Sequence, residues 1–354
     1  MPNYDNDIYD IERAFQAIED ELIASMMRNM SNHRAMEEAE GIQWSQWQAE
    51  QLKSLEKYKK VNSKKFTSKF SDINKQLDAI IYAARQEGGM EQEIAILKAI
   101  KQGHKAKKIG KSLNHTGEFF KLNTRKLEAL IKATKDDFAK AEFAMLRQAD
   151  DQYRKIIYNA QVYANSGAGT YAKAVDMATK DFLSRGIACI EYKNGARHKM
   201  ADYASMCLRT ASKRAYLAGE GEKRQEWGEH LVILNKRGNA CPLCLPFVGK
   251  ILIDDVWSGG SSKDGPYKLM SSAMEYGLYH PNCKDGHTTY FPELEDIEKE
   301  YSKKDIVKIE KDYKIEQQAK YKEKQAKKYR RLSEYSLDED NKKKYKERAD
   351  QYSK

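Results

Sequence analysis

The distribution of proline most constrains how this chain can fold. Pro2 is followed by no other proline until Pro242, and all the later prolines fall within residues 242–292. Proline lacks the backbone donor that a helix interior needs, and its ring clashes with the preceding turn. The first two thirds of the chain can therefore form long helices, whereas the segment 238–292 cannot.

Apolar residues in the first 165 positions recur at helical spacing. The clearest stripe repeats at steps of three and four, so its side chains share one helix face. Its members are Ile8, Ile11, Phe15, Ile18, Leu22 and Met26. Shorter stripes predict separate helices near 52–58 and 66–81, a break at Gly88-Gly89, and another helix that buries Ile94, Leu97 and Ile100. We expect residues 1–165 to form an extended helical domain.

The pattern changes after residue 165. Thr170 can cap a helix that runs to about Ser184, and Asn194-Gly195 between β-prone residues predicts a hairpin. A helix from about Met200 to Leu217 is expected to stop at Gly219 and Gly221, before a strand at 231–234. Residues 170–292 therefore read as a compact α+β module.

Residues 293–354 contain no glycine and are dense in Lys, Glu, Tyr and Gln. Their apolar residues are too sparse for an independent core, which predicts a charged, helix-prone tail. The fold class expected for the chain is α+β, with domains at 1–165, 170–292 and 293–354.

Composition excludes two broad classes of protein. The longest aliphatic runs, such as Leu231-Val232-Ile233-Leu234, are far too short to cross a bilayer, so no membrane association is expected. Five cysteines and an N-terminus without a basic or apolar leader favour assembly in a reducing cytosol over a disulfide scaffold. The formal net charge of +10 is compatible with a polyanionic partner and equally with ordinary solubility.

Metal-ligating residue types cluster in the C-terminal third. Residues 241–244 read Cys-Pro-Leu-Cys, and residues 280–287 read His-Pro-Asn-Cys-Lys-Asp-Gly-His. A tetrahedral zinc site needs four ligands of this kind. The five candidates are Cys241, Cys244, His280, Cys283 and His287. They predict either a structural zinc that joins two loops or a metal-free knuckle, and a catalytic metal is a third reading.

These motifs resemble the minor capsid protein 2 family of tailed phages, and more loosely the Mu F-like head morphogenesis proteins. The resemblance rests on five runs of sequence between about 195 and 292. They are Leu208-Arg209-Thr210 with Gly219-Glu220-Gly221, the segment Cys241 to Lys250, Val256-Trp257-Ser258-Gly259-Gly260, and Gly277 to Cys283. Many Mu F-like proteins carry a second cysteine two residues after the last one. This chain has Asp285 there, so the resemblance implies that His287 would substitute as a ligand.

The resemblance implies a low-copy structural protein of the virion that assembles in the host cytoplasm. Its implied partners are the portal protein and major capsid or scaffold proteins, with double-stranded DNA, bound without sequence specificity, as a further candidate. Basic residues are the candidates for DNA contact, although each cluster is also an ordinary solvated helix face. The candidates are Lys105, Lys107, Lys108, Lys111, Lys327, Lys328, Arg330 and Arg331. Tyrosines in the tail could stack on bases or form a docking stripe.

Two other functions are compatible with the same residues. His280, Asp285 and His287 near thiols could support a metal-dependent hydrolase, nuclease or toxin-like activity. No His-Glu-X-X-His, phosphate-binding glycine loop or Gly-X-Ser-X-Gly motif supports that activity, so we expect no enzyme. A free host-side regulator that binds nucleic acid is the third class.

Overall fold

A computed structural model describes residues 4–32, 44–106, 116–166, 170–294 and 301–353. Most of these residues are helical, and a few short strands make the fold an α-rich α+β structure. The helices are α1 (Tyr4–Asn32), α2 (Trp44–Lys101), α3 (Thr116–Asn165), α4 (Tyr171–Arg185), α5 (Met200–Glu226), α6 (Met270–Glu275), α7 (Lys303–Tyr335) and α8 (Glu339–Ser353). None of the helices in these ranges is long and apolar enough to cross a membrane.

The strands form two small sheets. They are β1 (Ile190–Glu191), β2 (Arg197–His198), β3 (Leu231–Leu234), β4 (Ile251–Ile253), β5 (Lys268–Leu269) and β6 (His287–Thr289). Strands β1 and β2 form an antiparallel pair, and the second sheet has the order β5-β4-β3-β6. In that sheet β3 is antiparallel to both neighbours, with Val232 opposite Leu252 and Thr289. Strand β5 runs parallel to β4 at the edge.

Three local predictions from the sequence are confirmed. The side chain of Thr170 accepts a hydrogen bond from the Lys173 amide and caps α4. The hairpin turns at Asn194-Gly195, where Gly195 has a φ of 78°. The strand expected at 231–234 is β3. Each of these features depends on a few neighbouring residues, so contacts with distant segments did not change it.

The predicted glycine breaks are wrong. Gly88 and Gly89 lie inside α2, which runs unbroken for 58 residues, and Gly219 and Gly221 lie inside α5. A Cβ at Gly88 would lie 2.2 Å from the Tyr216 carbonyl oxygen, and one at Gly219 would lie 2.1 Å from the Arg85 carbonyl oxygen. The glycines therefore allow the two helix backbones to approach closely. The packing contacts made by this close approach offset the helix stability that each glycine loses relative to alanine.

The predicted buried face of α2 near residue 94 is wrong for Ile94 and Leu97, whereas Ile100 is partly buried. Ile94 and Leu97 are 61% and 44% exposed, whereas Ile96 and Ala99 are buried with Phe291. Because the helix does not restart after Gly89, the phase of its buried face is set by the whole of α2. A short window of sequence cannot supply that phase.

Spatial contacts group the chain into two units. Unit 1 contains residues 1–9, 75–136 and 205–317, and unit 2 contains residues 10–74, 137–204 and 318–354. Each boundary falls inside a helix, so each unit is assembled from segments that are far apart in sequence. The sequential division at 165 and 292 remains a prediction about sequence modules.

Each unit has its own apolar contacts. In unit 2 the predicted face of α1 is buried, and the ring of Phe15 lies 6.0 Å from Phe70 and 5.9 Å from Phe138 between centroids. In unit 1 Ile309 of α7 packs with Ala240 and Val248. The beginning of the charged C-terminal segment is therefore part of the core around the cysteine motif.

Candidate functional site

The first cysteine pair lies on a tight turn of unit 1. The amides of Cys244 and Leu245 both donate to the Cys241 carbonyl, at 3.1 and 2.9 Å, and a short 3₁₀ helix, Leu245–Phe247, follows. Pro242 occupies the second position of this turn, where its fixed φ is favourable. Both sulfur atoms are thereby held on one side of a compact loop.

The second half of the motif is another turn. The Cys283 amide donates to the His280 carbonyl at 3.0 Å, Pro281 is the second residue, and Asn282 has a φ of 65°. Proline followed by a residue with positive φ is typical of a type II turn, and asparagine tolerates that conformation better than most residues. The sequence His-Pro-Asn-Cys thus encodes its own backbone shape.

Helix α5 holds this turn in place. Arg209 Nη1 donates to Asn282 Oδ1 at 3.0 Å, and the Asn282 amide donates to Thr210 Oγ1 at 3.0 Å. The Arg-Thr pair in the sequence therefore positions the cysteine turn. It contacts Asn282 from a helix about 70 residues earlier in the chain.

The two turns bring four of the five predicted metal ligands together. Cys241 Sγ lies 3.0 Å from His280 Nε2, and Cys244 Sγ lies 3.5 Å from Cys283 Sγ. The ligand atoms of Cys241, Cys244 and His280 all lie within 4.8 Å of one another, and so do those of Cys244, Cys283 and Asp285. Ligand atoms of a tetrahedral zinc site are separated by roughly 3.3–3.8 Å. We refer to Cys241, Cys244, His280 and Cys283 as the knuckle.

Hydrogen bonding prepares His280 to act as a ligand. Its Nδ1 lies 2.9 Å from the Pro281 carbonyl oxygen, which can only accept, so the proton resides on Nδ1. The lone pair of Nε2 then faces Cys241. This arrangement, with one ring nitrogen donating to a carbonyl and the other free to coordinate, is the usual one for histidines that bind zinc.

The paired thiols of the knuckle are electrostatically unequal. Their mutual hydrogen bond lowers the pKa of Cys283 and raises the pKa of Cys244. Asp285 Oδ2 lies 3.8 Å from Cys283 Sγ, and Asp285 Oδ1 accepts from Arg237 at 3.4 Å. Asp285 therefore belongs to the immediate surroundings of Cys283.

The structure places His287, the fifth candidate, in a different cluster. Its Nε2 lies 2.9 Å from Arg224 Nη2 and its Nδ1 lies 2.6 Å from Tyr279 Oη. A guanidinium only donates, so Nε2 accepts and the proton resides on Nδ1. Burial, together with the charge of Arg224, lowers the pKa of His287 well below its ordinary value. His287 is therefore a neutral, positioned core residue.

Arg224 is the centre of this second cluster and is completely buried. Its Nη2 also donates to Asp254 Oδ2 at 3.0 Å, and its Nη1 donates to Gln92 Oε1 at 3.4 Å. Glu220, one helical turn earlier, approaches Nη1 to 3.8 Å. Burial raises the pKa of Glu220 to about 7, against the opposing effect of Arg224. We call Arg224, Asp254, Glu220, His287 and Tyr279 the arginine network.

Sequence reasoning missed Arg224 and Asp254. Arg224 stands among polar residues near the end of a helix, and only the small residues of Gly219-Glu220-Gly221 point to close packing there. A Cβ at Gly221 would lie 2.3 Å from Trp257 Cβ, and the Trp257 amide donates to Asp254 Oδ1. The glycine motif and the Trp-containing loop are thus two sides of the same contact.

The predicted DNA-contacting residues have varied surroundings. Lys107, Lys108 and Lys111 lie outside the described residues, and Lys105 is exposed. On α7, Lys327 pairs with Glu323, Arg330 Nη2 donates to Ser353 Oγ, and Lys328 lies over the Tyr329 ring. Arg331 is mostly buried and binds Glu19 at 2.9 Å. Tyr329 stacks on Tyr345 and Tyr352, so these tail tyrosines pack against one another.

Comparison with known protein families identifies the family of this chain. The model of the family described as phage minor capsid protein 2 matches residues 4–354, which is essentially the whole chain. The chain belongs to the phage minor capsid protein 2 family. No curated protein and no solved structure shows a significant match.

Family membership confirms the resemblance drawn from the C-terminal motifs. As a minor capsid protein 2 family member, the protein is a structural component of the phage head, is found in the virion and has other capsid components as partners. This membership favours a structural role over an enzymatic one. The geometry lends the hydrolase alternative no support, because His280 and His287 lie in separate clusters.

Proposed function

We propose that this protein joins the phage head together with the portal protein, at the inner face of the capsid, where its basic surface contacts packaged DNA. The match to the minor capsid family along residues 4–354 carries the proposal. The structure supports it with an exposed apolar stripe, a loop knuckle suited to zinc, and solvent-exposed basic side chains.

The apolar stripe is the candidate surface for docking on other head proteins. Met90, Ile94 and Leu97 lie on one face of α2 and are 62%, 61% and 44% exposed. Large apolar side chains grouped at this spacing on a charged helix are typical of surfaces that another protein covers. We assign this stripe to contact with the portal protein or inner capsid.

The knuckle is proposed to hold a structural zinc. Two tight turns present three sulfur atoms and one imidazole lone pair, which is a complete donor set of the closed, non-catalytic kind. Zinc would convert separate hydrogen-bonded contacts into one crosslink between segments 241–244 and 280–283. Its binding energy would then contribute to the folding of the module.

DNA contact is proposed for the exposed part of the predicted basic set. Lys105, Lys327 and Arg330 are exposed, and contacts between such residues and phosphates are independent of sequence. Arg331 is excluded from this role because its guanidinium neutralises the buried Glu19.

Particle fractionation tests the main proposal. The protein should co-sediment with capsids, and chemical crosslinking should join it to the portal protein. Ile94→Glu should prevent incorporation, whereas Val307→Glu, an equally exposed apolar position on α7, should not. Recovery only in the particle-free fraction would contradict the proposal.

The zinc proposal has its own test. Purified protein should contain about one zinc per chain, and a strong chelator should lower its melting temperature. Cys244→Ser should abolish both effects, whereas Cys207→Ser, a cysteine of α5 outside the knuckle, should retain them. Absence of stoichiometric metal together with no effect of the chelator would establish a metal-free knuckle.

The DNA proposal predicts binding that weakens steeply with salt and is indifferent to sequence. Replacing Lys105, Lys327 and Arg330 with alanine should lower the slope of log affinity against log salt by roughly one per lost phosphate contact. Lys263→Ala, on an exposed loop of unit 1, serves as the control. A salt-independent affinity would exclude this mode of binding.

A further inference from the structure

Unit 1 contains a cavity that the proposed assembly role does not use. Its volume is about 690 Å³, within the range of small-molecule sites. It lies between residues 91–102 of α2, residues 213–220 of α5, the loop after β3, and the segment from Lys284 to Leu294. The arginine network forms part of its floor through Glu220 and His287.

Three residues that line this cavity have a buried polar atom without a hydrogen bond. Among the described residues, Glu220 Oε2, Gln92 Nε2 and Thr289 Oγ1 are buried and have no hydrogen-bond partner, and all three residues line the cavity. These residues are only 6%, 3% and 4% exposed. Glu220 Oε2 lies 3.8 Å from Arg224 Nη1, so its charge is compensated. Most buried polar groups in proteins are satisfied, so the side chains of Gln92 and Thr289 are the ones with hydrogen-bonding capacity left for a ligand.

The charges around the cavity favour an anionic occupant. Five basic side chains line it, against three acidic ones. The basic residues are Lys98, Lys213, Lys236, Arg237 and Lys284. Groups of both signs already have partners. Glu91 Oε2 accepts from Tyr216 Oη at 2.5 Å and Asp285 accepts from Arg237. The ammonium groups of Lys213 and Lys236 lie 5.7 and 5.4 Å from the ring centroids of Tyr216 and Tyr301, so the excess of two positive charges is the net balance of the lining. Several ammonium groups and one guanidinium around a recess match the charge of a phosphate better than that of a carboxylate.

The rest of the wall is apolar. Ala95, Ala99, Phe291 and Leu294 line the cavity beside the Tyr216 ring. A phosphate ion alone would leave this surface and most of the volume unfilled. A ligand with a phosphate at one end and a flat, partly apolar group with polar edges at the other would satisfy both walls.

We propose that this cavity binds a small phosphate ester of nucleotide size. The phosphate lies among Lys213, Lys236 and Lys284, and the ring system contacts the apolar wall. Its polar edge reaches Thr289 and Gln92 on the floor. This function is independent of capsid assembly and of zinc.

Isothermal titration calorimetry on the full chain tests the proposal, with AMP and ATP as ligands. We expect one binding site. Inorganic phosphate should bind more weakly, because it cannot contact the lysines and Thr289 at the same time. Thr289→Val should weaken AMP binding about fivefold, the effect of one hydrogen bond. It should not lower the melting temperature, because the hydroxyl has no partner to lose and valine favours the strand.

A second variant tests the contact with the phosphate separately from the contact with Thr289. Replacing both Lys236 and Lys284 with alanine should weaken ATP binding at least tenfold, whereas Lys263→Ala, outside the cavity, should leave it unchanged. Absence of AMP and ATP binding, or AMP binding that Thr289→Val does not alter, would overturn the proposal. So would displacement of ATP by a blunt DNA duplex with the same dependence on Thr289, because the ligand would then be DNA.

Discussion

The two units of this protein bury charge in opposite ways. Unit 1 surrounds one cation, Arg224, with acceptors from Asp254, Gln92 and the neutral His287. Unit 2 surrounds an anion, Glu19, whose Oε1 accepts from Lys199, Arg331 and the Ile187 amide at 2.8, 2.9 and 3.1 Å. Both centres are almost fully buried. A buried charge persists only where several partners converge, so each centre marks where distant segments must meet.

The units differ in how far those segments lie apart. In unit 1 the arginine network joins residues between Glu220 and His287, and Gln92 of α2 accepts a hydrogen bond from Arg224. In unit 2 the Glu19–Arg331 pair spans 312 positions of sequence. A second carboxylate of unit 2, Asp176, accepts from the backbone amides of Leu337 and Asp338 and from the Asn341 side chain. Charge pairing and capping therefore help to hold residues 318–353 within unit 2, where Leu332 and Ala349 are buried as well.

The largest expected effect follows removal of the central cation of unit 1. Arg224→Met keeps the length of the side chain but leaves Asp254 and Glu220 buried without a counter-charge. We expect a loss of about 3–5 kcal/mol of unfolding free energy, measured by denaturant titration. Arg197→Met, at an exposed ion pair with Glu191, should change stability little. Equal losses of unfolding free energy in the two variants would mean that the buried network stabilises the fold no more than an exposed ion pair does.

The corresponding change in unit 2 should be smaller. Glu19→Gln preserves an acceptor for the Ile187 amide but removes the charge shared by Lys199 and Arg331. Both cations keep some access to solvent, so we expect a loss of about 2–3 kcal/mol. Limited proteolysis should show earlier cleavage in α7 and α8. Unchanged protection there would argue that apolar contacts alone hold these helices.

A glycine pair tests the close helix approach in unit 1. Gly88→Ala places a methyl group against the Tyr216 carbonyl and should cost about 1–3 kcal/mol. At Gly89, one position later, the nearest atom to an added Cβ is the Gly219 carbonyl oxygen at 3.5 Å. Gly89→Ala should therefore stabilise the helix by up to about 1 kcal/mol. Thermal unfolding of the two variants gives the comparison. Effects of the same sign would contradict the close approach at Gly88.

The smallest expected effect depends on pH and concerns Glu142 of unit 2. Burial raises the pKa of Glu142 from its ordinary value of 4.5 to about 7, although Asn74 donates to its Oε2. The folded state therefore holds a proton that the unfolded state releases, so this residue costs stability as pH rises from about 4.5 to 7.

Glu142→Gln should remove this cost. Its amide can also donate to Asn74 Oδ1, an atom with no hydrogen-bond partner among the described residues. We expect a gain on the order of 1–2 kcal/mol at pH 8 and a much smaller gain at pH 5, measured by denaturant titration at both values. A gain that does not change with pH would assign the effect to packing alone.

Local features of this protein could be predicted because a few adjacent residues encode them. Thr170 caps α4, Asn194-Gly195 turns the hairpin, and the two proline-containing turns bring cysteine and histidine together. The pairing of the two turns could also be predicted. Each turn supplies only part of a tetrahedral ligand set, so the two turns must meet to complete it. The glycines were misread because a glycine that breaks a helix and one that admits a neighbouring helix look alike in sequence.

By itself, the sequence determined where long helices could exist, where several turns lie and which five side chains were candidates for a metal site, because proline, glycine and capping act through the local backbone. Only the tertiary structure decided that His287 leaves the cysteines for Arg224, that α2 runs through Gly88, and that Arg331 neutralises Glu19. The physical reason is that burial and pairing of charge depend on which distant segments meet, and a linear pattern does not carry that information.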